Sequence, residues 1–262
     1  MTNRTCLGCG VELTGDVVTL EHILPQWLAS EIEMPNVKLQ HFRHDDGNKE
    51  NTLLRAHGLN TYATRQVCFR CNGGWMSRLE NQAKPLILSL MKVERSVLML
   101  TDDERRILSR WAVKTAFLIT TSETTKFPMP WEVLYALGRD EGAGPERCYV
   151  FACQQSNLSK GFLYNSPSDY LSEDGLIQAR LGFSIQHLHF VVFVPFDKRP
   201  RLARIAAGIH TPLWPLGLGC FAVYKPIPTE LKTVYEYLNF LTNLIEVGLV
   251  TEQAISLDFV RE

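Results

Sequence analysis

Four cysteines in two Cys-x-x-Cys pairs, Cys6 with Cys9 and Cys68 with Cys71, constrain this chain more than any other feature. Tetrahedral Zn²⁺ is satisfied by four soft thiolate ligands, and two pairs at this spacing supply them. The glycines in Cys6-Leu-Gly-Cys9-Gly10 relieve steric limits on the backbone, as a zinc knuckle requires. The 58 residues between Cys9 and Cys68 exceed a simple zinc ribbon. Reduced structural cysteines and a redox dithiol are the alternatives, and the redox role is disfavoured because neither pair sits in a strand-to-helix redox context. The expectation is a structural zinc on Cys6, Cys9, Cys68 and Cys71.

The remaining composition narrows the setting. Seven cysteines are a poor disulfide framework, which fits a cytoplasmic protein. The first residues lack an apolar core with a cleavage site, and no apolar run reaches the about 20 residues needed to cross a bilayer, so no membrane association is expected. With 45% apolar and 21% charged residues and no low-complexity tract, the chain reads as globular. Its formal net charge of −1 excludes a broadly basic protein that coats nucleic acid. A phosphate-binding surface then rests on the placement of a few arginines. The length of 262 residues suits two domains, divided here as 1–95 and 96–262.

Asp16 to Leu20 is short and β-branched and predicts a strand ending at Glu21-His22, with a short helix from Gln26 to Glu33 entered at Pro25. A strand terminus is a rigid support for a carboxylate beside an imidazole. Residues 34–64 are polar and read as irregular, with His41, His44, Asp45, Asp46, Gly47 and Asn48 forming a solvated loop rather than a second metal site. From Gly74 to about Val93 apolar residues recur at helical intervals, and Pro85 is expected to kink that helix or split it. Arg78 lies in it, either as a phosphate contact or as a plain surface arginine.

Cys-x-x-Cys, then Glu-His-Ile-Leu-Pro, then Cys-x-x-Cys-Asn, over about residues 1–82, resembles the HNH endonuclease (ββα-metal) family in its zinc-stapled form. The resemblance implies His22 as the general base that deprotonates the attacking water. It implies Glu21 and Asn72 as ligands of a catalytic divalent ion, Mg²⁺ or Mn²⁺. The acidic position is Glu here, one methylene longer than the commoner Asp. Asn60, eight residues before Cys68, stands nearest to the family's middle Asn, and Trp75 stands where many members carry lysine. The chemistry is coherent on its own terms. An imidazole titrates near neutral pH and can take a proton from water, and a hard cation on oxygen ligands can stabilise the phosphate and the departing 3′-oxygen. A zinc held by four thiolates has no open position for that work.

The second half carries no catalytic motif. Thr101 with Glu104 three residues on is a capping box, so Asp102, Asp103 and Glu104 are read as a helix start running on to Thr120, with a shorter helix over Trp131 to Leu137. Cys148–Cys153, Phe162–Tyr164, Phe183–Phe196 and Phe221–Tyr224 have strand character. His187 and His189 alternate along one of these and are expected to share a face as ordinary hydrogen-bonded histidines. Cys148, Cys153 and Cys220 are expected to be buried thiols. Residues 197–204 form a basic segment, and Val234, Leu238, Leu241 and Ile245 fall on one helical stripe. The fold class expected is α+β: an N-terminal ββα-metal (HNH-like) zinc module followed by a mixed α+β domain. The function expected is a metal-dependent endonuclease acting on DNA, with RNA left open. The alternative is a catalytically inactive zinc module that binds nucleic acid or a protein partner.

Overall fold

A computed structural model of the chain describes residues 4–32, 38–45, 50–58, 61–121, 129–154, 162–164, 168–171, 177–195, 203–206, 211–214 and 246–249. The architecture is mixed helix and strand with small antiparallel sheets. Near the N-terminus a tight turn at Cys6–Gly10 leads through a single 3₁₀ turn, Gly15–Val17, into β1 (Val18–His22). Pro25 precedes α1 (Gln26–Glu31). Two long strands, β2 (Lys38–Asp45) and β3 (Glu50–Gly58), pair as a hairpin. β4 (Ala63–Cys68) then returns antiparallel to β1, with Val18 opposite Cys68 and His22 opposite Ala63.

The stretch read as irregular loop is thus largely the β2–β3 hairpin. Lys-Leu-Gln-His-Phe-Arg-His-Asp carries too few β-branched residues to announce a strand, and cross-strand pairing supplies what propensity does not. Asn60, Asp46, Gly47 and Asn48 lie outside the described residues, as do Cys220, Phe221–Tyr224, residues 197–202 and the stripe from Val234 to Ile245.

β4 runs straight into a helical segment in three parts: α2 (Phe69–Cys71), a π turn (Asn72–Met76) and α3 (Ser77–Met91). The break expected at Pro85 falls at Gly74 instead, whose φ of −95° and ψ of −115° leave the helical region. Pro85 sits inside an unbroken α3. The carbonyl it deprives of a partner belongs to exposed Asn81, where water can satisfy it.

α4 (Asp102–Thr120) opens on the expected capping box, with Thr101 N–H donating to Glu104 Oε2 at 2.8 Å. From Leu108 to Thr120 every residue is buried, so this helix is the centre of the molecule. Trp111 packs on Phe183 and Phe190 with ring centroids 6.0 and 5.8 Å away, contacts worth about 0.5–1.5 kcal/mol per aromatic pair beyond the area buried. α5 (Glu132–Arg139) follows, and buried Arg110 of α4 caps its C-terminal end by donating to the carbonyls of Leu137 and Asp140 at 2.7 and 2.6 Å.

β5 (Tyr149–Gln154), β6 (Phe162–Tyr164), β7 (Ser168–Leu171), β8 (Ile177–Ile185), β9 (Leu188–Pro195) and β11 (Thr211–Trp214) form one six-stranded sheet. Its order is β11-β5-β9-β8-β6, with β7 also pairing β8. β10 (Ala203–Ala206) pairs with β12 (Glu246–Leu249). The segment from Phe183 is the β8–β9 hairpin rather than one strand, because Gln186 adopts φ 48° and turns the chain. His187 therefore lies in the turn. His189 alone is in β9, fully buried, with Nδ1 2.7 Å from Ser184 Oγ. Cys148 and Cys153 are buried thiols, as expected. One apolar core runs through residues on both sides of position 95. No helix among the described residues is long and apolar enough to cross a membrane.

Candidate metal centre

The turn at Cys6–Gly10 is closed by Gly10 N–H donating to the Cys6 carbonyl at 2.8 Å, and Gly10 takes φ 76°, where a Cβ is disfavoured. Leu7 N–H donates to the Gln66 carbonyl at 2.9 Å, docking this turn on β4. The second pair straddles the β4-to-α2 junction, Cys68 ending the strand and Cys71 closing the first helical turn, so it does sit in the strand-to-helix context expected of neither pair. The presence of all four sulfurs in one cluster is what favours a metal over a redox dithiol. The four sulfurs all lie within 4.8 Å of one another, and Cys9 Sγ is 3.8 Å from Cys68 Sγ. Zinc–sulfur bonds of about 2.3 Å in a tetrahedron place sulfurs about 3.8 Å apart. The thiols therefore fit zinc, as the spacing predicts.

The surroundings favour thiolate. Gly8 and Cys68 N–H groups donate to Cys6 Sγ at 3.3 and 3.2 Å. The Cys71 thiol, with those two N–H groups, holds the Cys6 sulfur well below its ordinary pKa despite burial. Cys71 is pushed far up as the donor to that thiolate, and Cys9 is raised by burial. A divalent cation bound by deprotonated sulfurs takes the place of these thiol–thiolate contacts. Packing is equally close: a Cβ on Gly8 would stand 2.9 Å from Cys71 Sγ and 3.1 Å from Met76 Cε.

The second half of the chain buttresses this centre. Gly10 faces the Tyr135 ring of α5, and Gly138 lies so near the π turn that a Cβ there would meet Trp75 Nε1 at 2.7 Å. From α4, fully buried Lys114 reaches Glu21 Oε1 at 3.0 Å and also pairs with Glu80 of α3. Burial pulls the Lys114 ammonium down, yet the two carboxylates outweigh it and raise its pKa. Glu21 is raised as well, by burial first, against the pull of Lys114. The directions agree physically: one cation shared by two anions keeps its own proton and leaves the cluster receptive to another.

This arrangement separates two expected neighbours. Glu21 points into the core, whereas His22, next along β1, is half-buried, with Nε2 3.2 Å from the Gln26 amide nitrogen. The direction of that bond follows the tautomer of the ring. Asn72 lies across β1, its Nδ2 donating to the Leu20 carbonyl at 3.1 Å and Thr19 Oγ1 at 3.3 Å. The carbonyl fixes the amide's orientation and leaves Oδ1 as its remaining acceptor. Arg78 forms a fork with Glu141, at 2.9 and 2.5 Å. A phosphate would have to displace that carboxylate. Sequence reasoning missed Gln26, Lys114 and Glu80. Gln26 sits four residues after His22, a readable signal only once Pro25 is known to start the helix. Lys114 offers none, being one basic residue in a helix whose burial the sequence does not declare.

No protein-family model, no curated protein and no solved structure matches the chain.

Proposed function

We propose that the chain is a zinc-stapled nuclease of the HNH (ββα-metal) type that hydrolyses phosphodiester bonds in DNA. The observation that supports this best is the course of the chain through the thiol cluster. An antiparallel strand pair runs directly into a helix, and Asn72, next after the last cysteine, is bonded to the strand that ends in His22.

Within that reading His22 takes the proton of the attacking water, on the nitrogen that otherwise bonds the Gln26 amide. Gln26 orients the ring through that bond and gives the nitrogen up to the water. The zinc cluster sets the distance between strand and helix and takes no part in the chemistry. A bound Mg²⁺ or Mn²⁺ supplies charge neutralisation at the phosphate and help for the departing oxygen. Asn72 Oδ1 fits as one ligand of such an ion. Glu21 does not fit in this arrangement, because its carboxylate is buried against Lys114. Its part is to anchor the end of β1, a positioning role in place of the ligand role expected from the resemblance.

Supercoiled plasmid incubated with the full zinc-loaded chain in Mg²⁺, Mn²⁺ or chelator tests the reading. Nicking by the wild type should fall about a hundredfold or more in His22→Ala and about tenfold in Gln26→Ala. Equal nicking by wild type and His22→Ala sinks it. The pairing of Glu21 with Lys114 favours one other reading, a zinc module that holds nucleic acid or a protein partner without cutting. That reading predicts DNA retention with no nicking under any metal.

A further inference from the structure

Between the two downstream zinc-binding cysteines, themselves nearly sealed from solvent, the chain presents a phenylalanine to water. Cys68 and Cys71 are 1% and 5% exposed, whereas Phe69 is 54% exposed. A ring so exposed offers a flat apolar face to a partner. The Phe69 backbone is held on both sides by cysteines of the thiol cluster.

The guanidinium carbon of Arg70 lies 5.9 Å from the centroid of the Phe69 ring, within cation–π range. Arg70 and Arg65 are exposed, and neither is paired with a carboxylate among the described residues. Leu20, 45% exposed, offers a second apolar group, and its carbonyl holds Asn72. Phe69 and Asn72 are three residues apart on one helical turn, which places them on the same side at about 5–6 Å between Cβ atoms. Cys68 pairs with Val18 and His22 with Ala63, so Phe69 stands at the end of the strand pair opposite His22, with Asn72 on Leu20 between them. Flat apolar surface and unpaired positive charge occur together there, beside the strand that ends in His22.

We propose that Phe69 with Arg70 is a stacking platform for an unpaired nucleobase, and that the substrate is a nucleic acid with a single-stranded segment flanking the cleavage centre. The platform rests on the nucleic-acid reading given above. A base in duplex already has both faces covered, so only an extruded, overhanging or single-stranded base can lie on the ring. The arginine beside it meets the negative charge of the adjoining phosphate. Every base has a π face, so the preference is for unpaired over paired strands and not for a particular sequence.

The test uses the full zinc-loaded chain and short oligonucleotides containing 2-aminopurine, single-stranded and duplex, with nicking assayed on the same preparations. The wild type should quench the single-stranded probe. Phe69→Ala and Phe69→Leu should each weaken single-strand binding by on the order of five- to fiftyfold, with duplex binding changed less than about twofold. Phe69→Trp should restore it, and zinc content should be unchanged throughout. The platform is overturned if the wild type binds no single strand, if Phe69→Ala and Phe69→Leu bind like the wild type, or if paired and unpaired strands lose affinity equally. Nicking that persists beside Phe69-independent binding removes the platform and leaves the nuclease. Phe69-dependent binding without nicking by any form removes the nuclease and leaves the platform.

Discussion

Replacing Lys114 by methionine should be among the most damaging single changes this protein can suffer, although the residue touches no solvent. Methionine keeps most of the aliphatic stem that fills the space in α4, so the loss isolates the charge. In the wild type the ammonium lies 3.0 Å from Glu21 Oε1 and also bonds Glu80; Lys114 and Glu21 have side chains 0% and 6% exposed, while that of Glu80 is 21% exposed. Without the cation, Glu21 faces Glu80 across a water-poor gap, and breaking a buried pair in this way costs about 3–5 kcal/mol. Set against a total stability of about 5–15 kcal/mol, that is a large fraction. Urea unfolding should show a lower midpoint with an unchanged slope. The pH dependence fixes the cause. The Glu21 carboxyl is already raised by burial, so its protonated form favours the folded state, an advantage present below the ordinary glutamate pKa and lost as pH rises through the raised value. The deficit of Lys114→Met should therefore be greatest at neutral pH and above, shrinking as pH falls towards about 4.3. Adding Glu21→Gln should recover much of it, since the two groups are directly coupled. A deficit under about 1 kcal/mol at pH 8, or one equally large at pH 5, would refute the reasoning.

Three further outcomes follow from the geometry. Cys68→Ser should abolish stoichiometric zinc measured by metal analysis and lower the thermal midpoint, because Cys68 joins both the thiol cluster and β4. Gly8→Ala should release zinc to chelator faster than the wild type, since the added methyl would stand 2.9 Å from Cys71 Sγ; identical release rates would show that the turn yields without cost. Glu104 is held down to about 2 by the Arg95 fork first, with help from Thr101. Its stabilisation is thus present above the ordinary glutamate range and lost as pH falls towards about 2. Glu104→Gln should cost about 1–2 kcal/mol at pH 7 and nearly nothing at the acid end, read by denaturant melts across pH.

What the sequence disclosed and what it withheld divide along a physical line. Local signals were readable: the capping box at Thr101, the strand ending at His22, the helix after Pro25 and the paired cysteines all depend on residues within a few positions of one another. Hairpin β2–β3 was not, because its strands gain their conformation from each other and their residues favour none strongly. Pro85 and Gly74 exchanged roles for a related reason. A proline can stay in a helix where the orphaned carbonyl meets water, and a glycine yields wherever packing pulls. That Glu21 and His22 take opposite faces follows from their being neighbours on a strand, but not that the carboxylate takes the buried face, since that depends on Lys114, more than ninety positions along the chain. His187 and His189 parted at a single left-handed residue, Gln186, which carries no turn signature.

The distance along the chain between Cys9 and Cys68 also imposes an order on synthesis. The first knuckle leaves the ribosome early but cannot close around a metal until β4 and Cys71 have followed, so for that interval two thiols and the free edge of β1 wait unprotected. Even then Glu21 and Glu80 have no counter-charge until α4 arrives to deliver Lys114. A released fragment ending near residue 95 should accordingly bind metal while remaining loosely packed. Consolidation of the amino-terminal part is left to a segment made well after it.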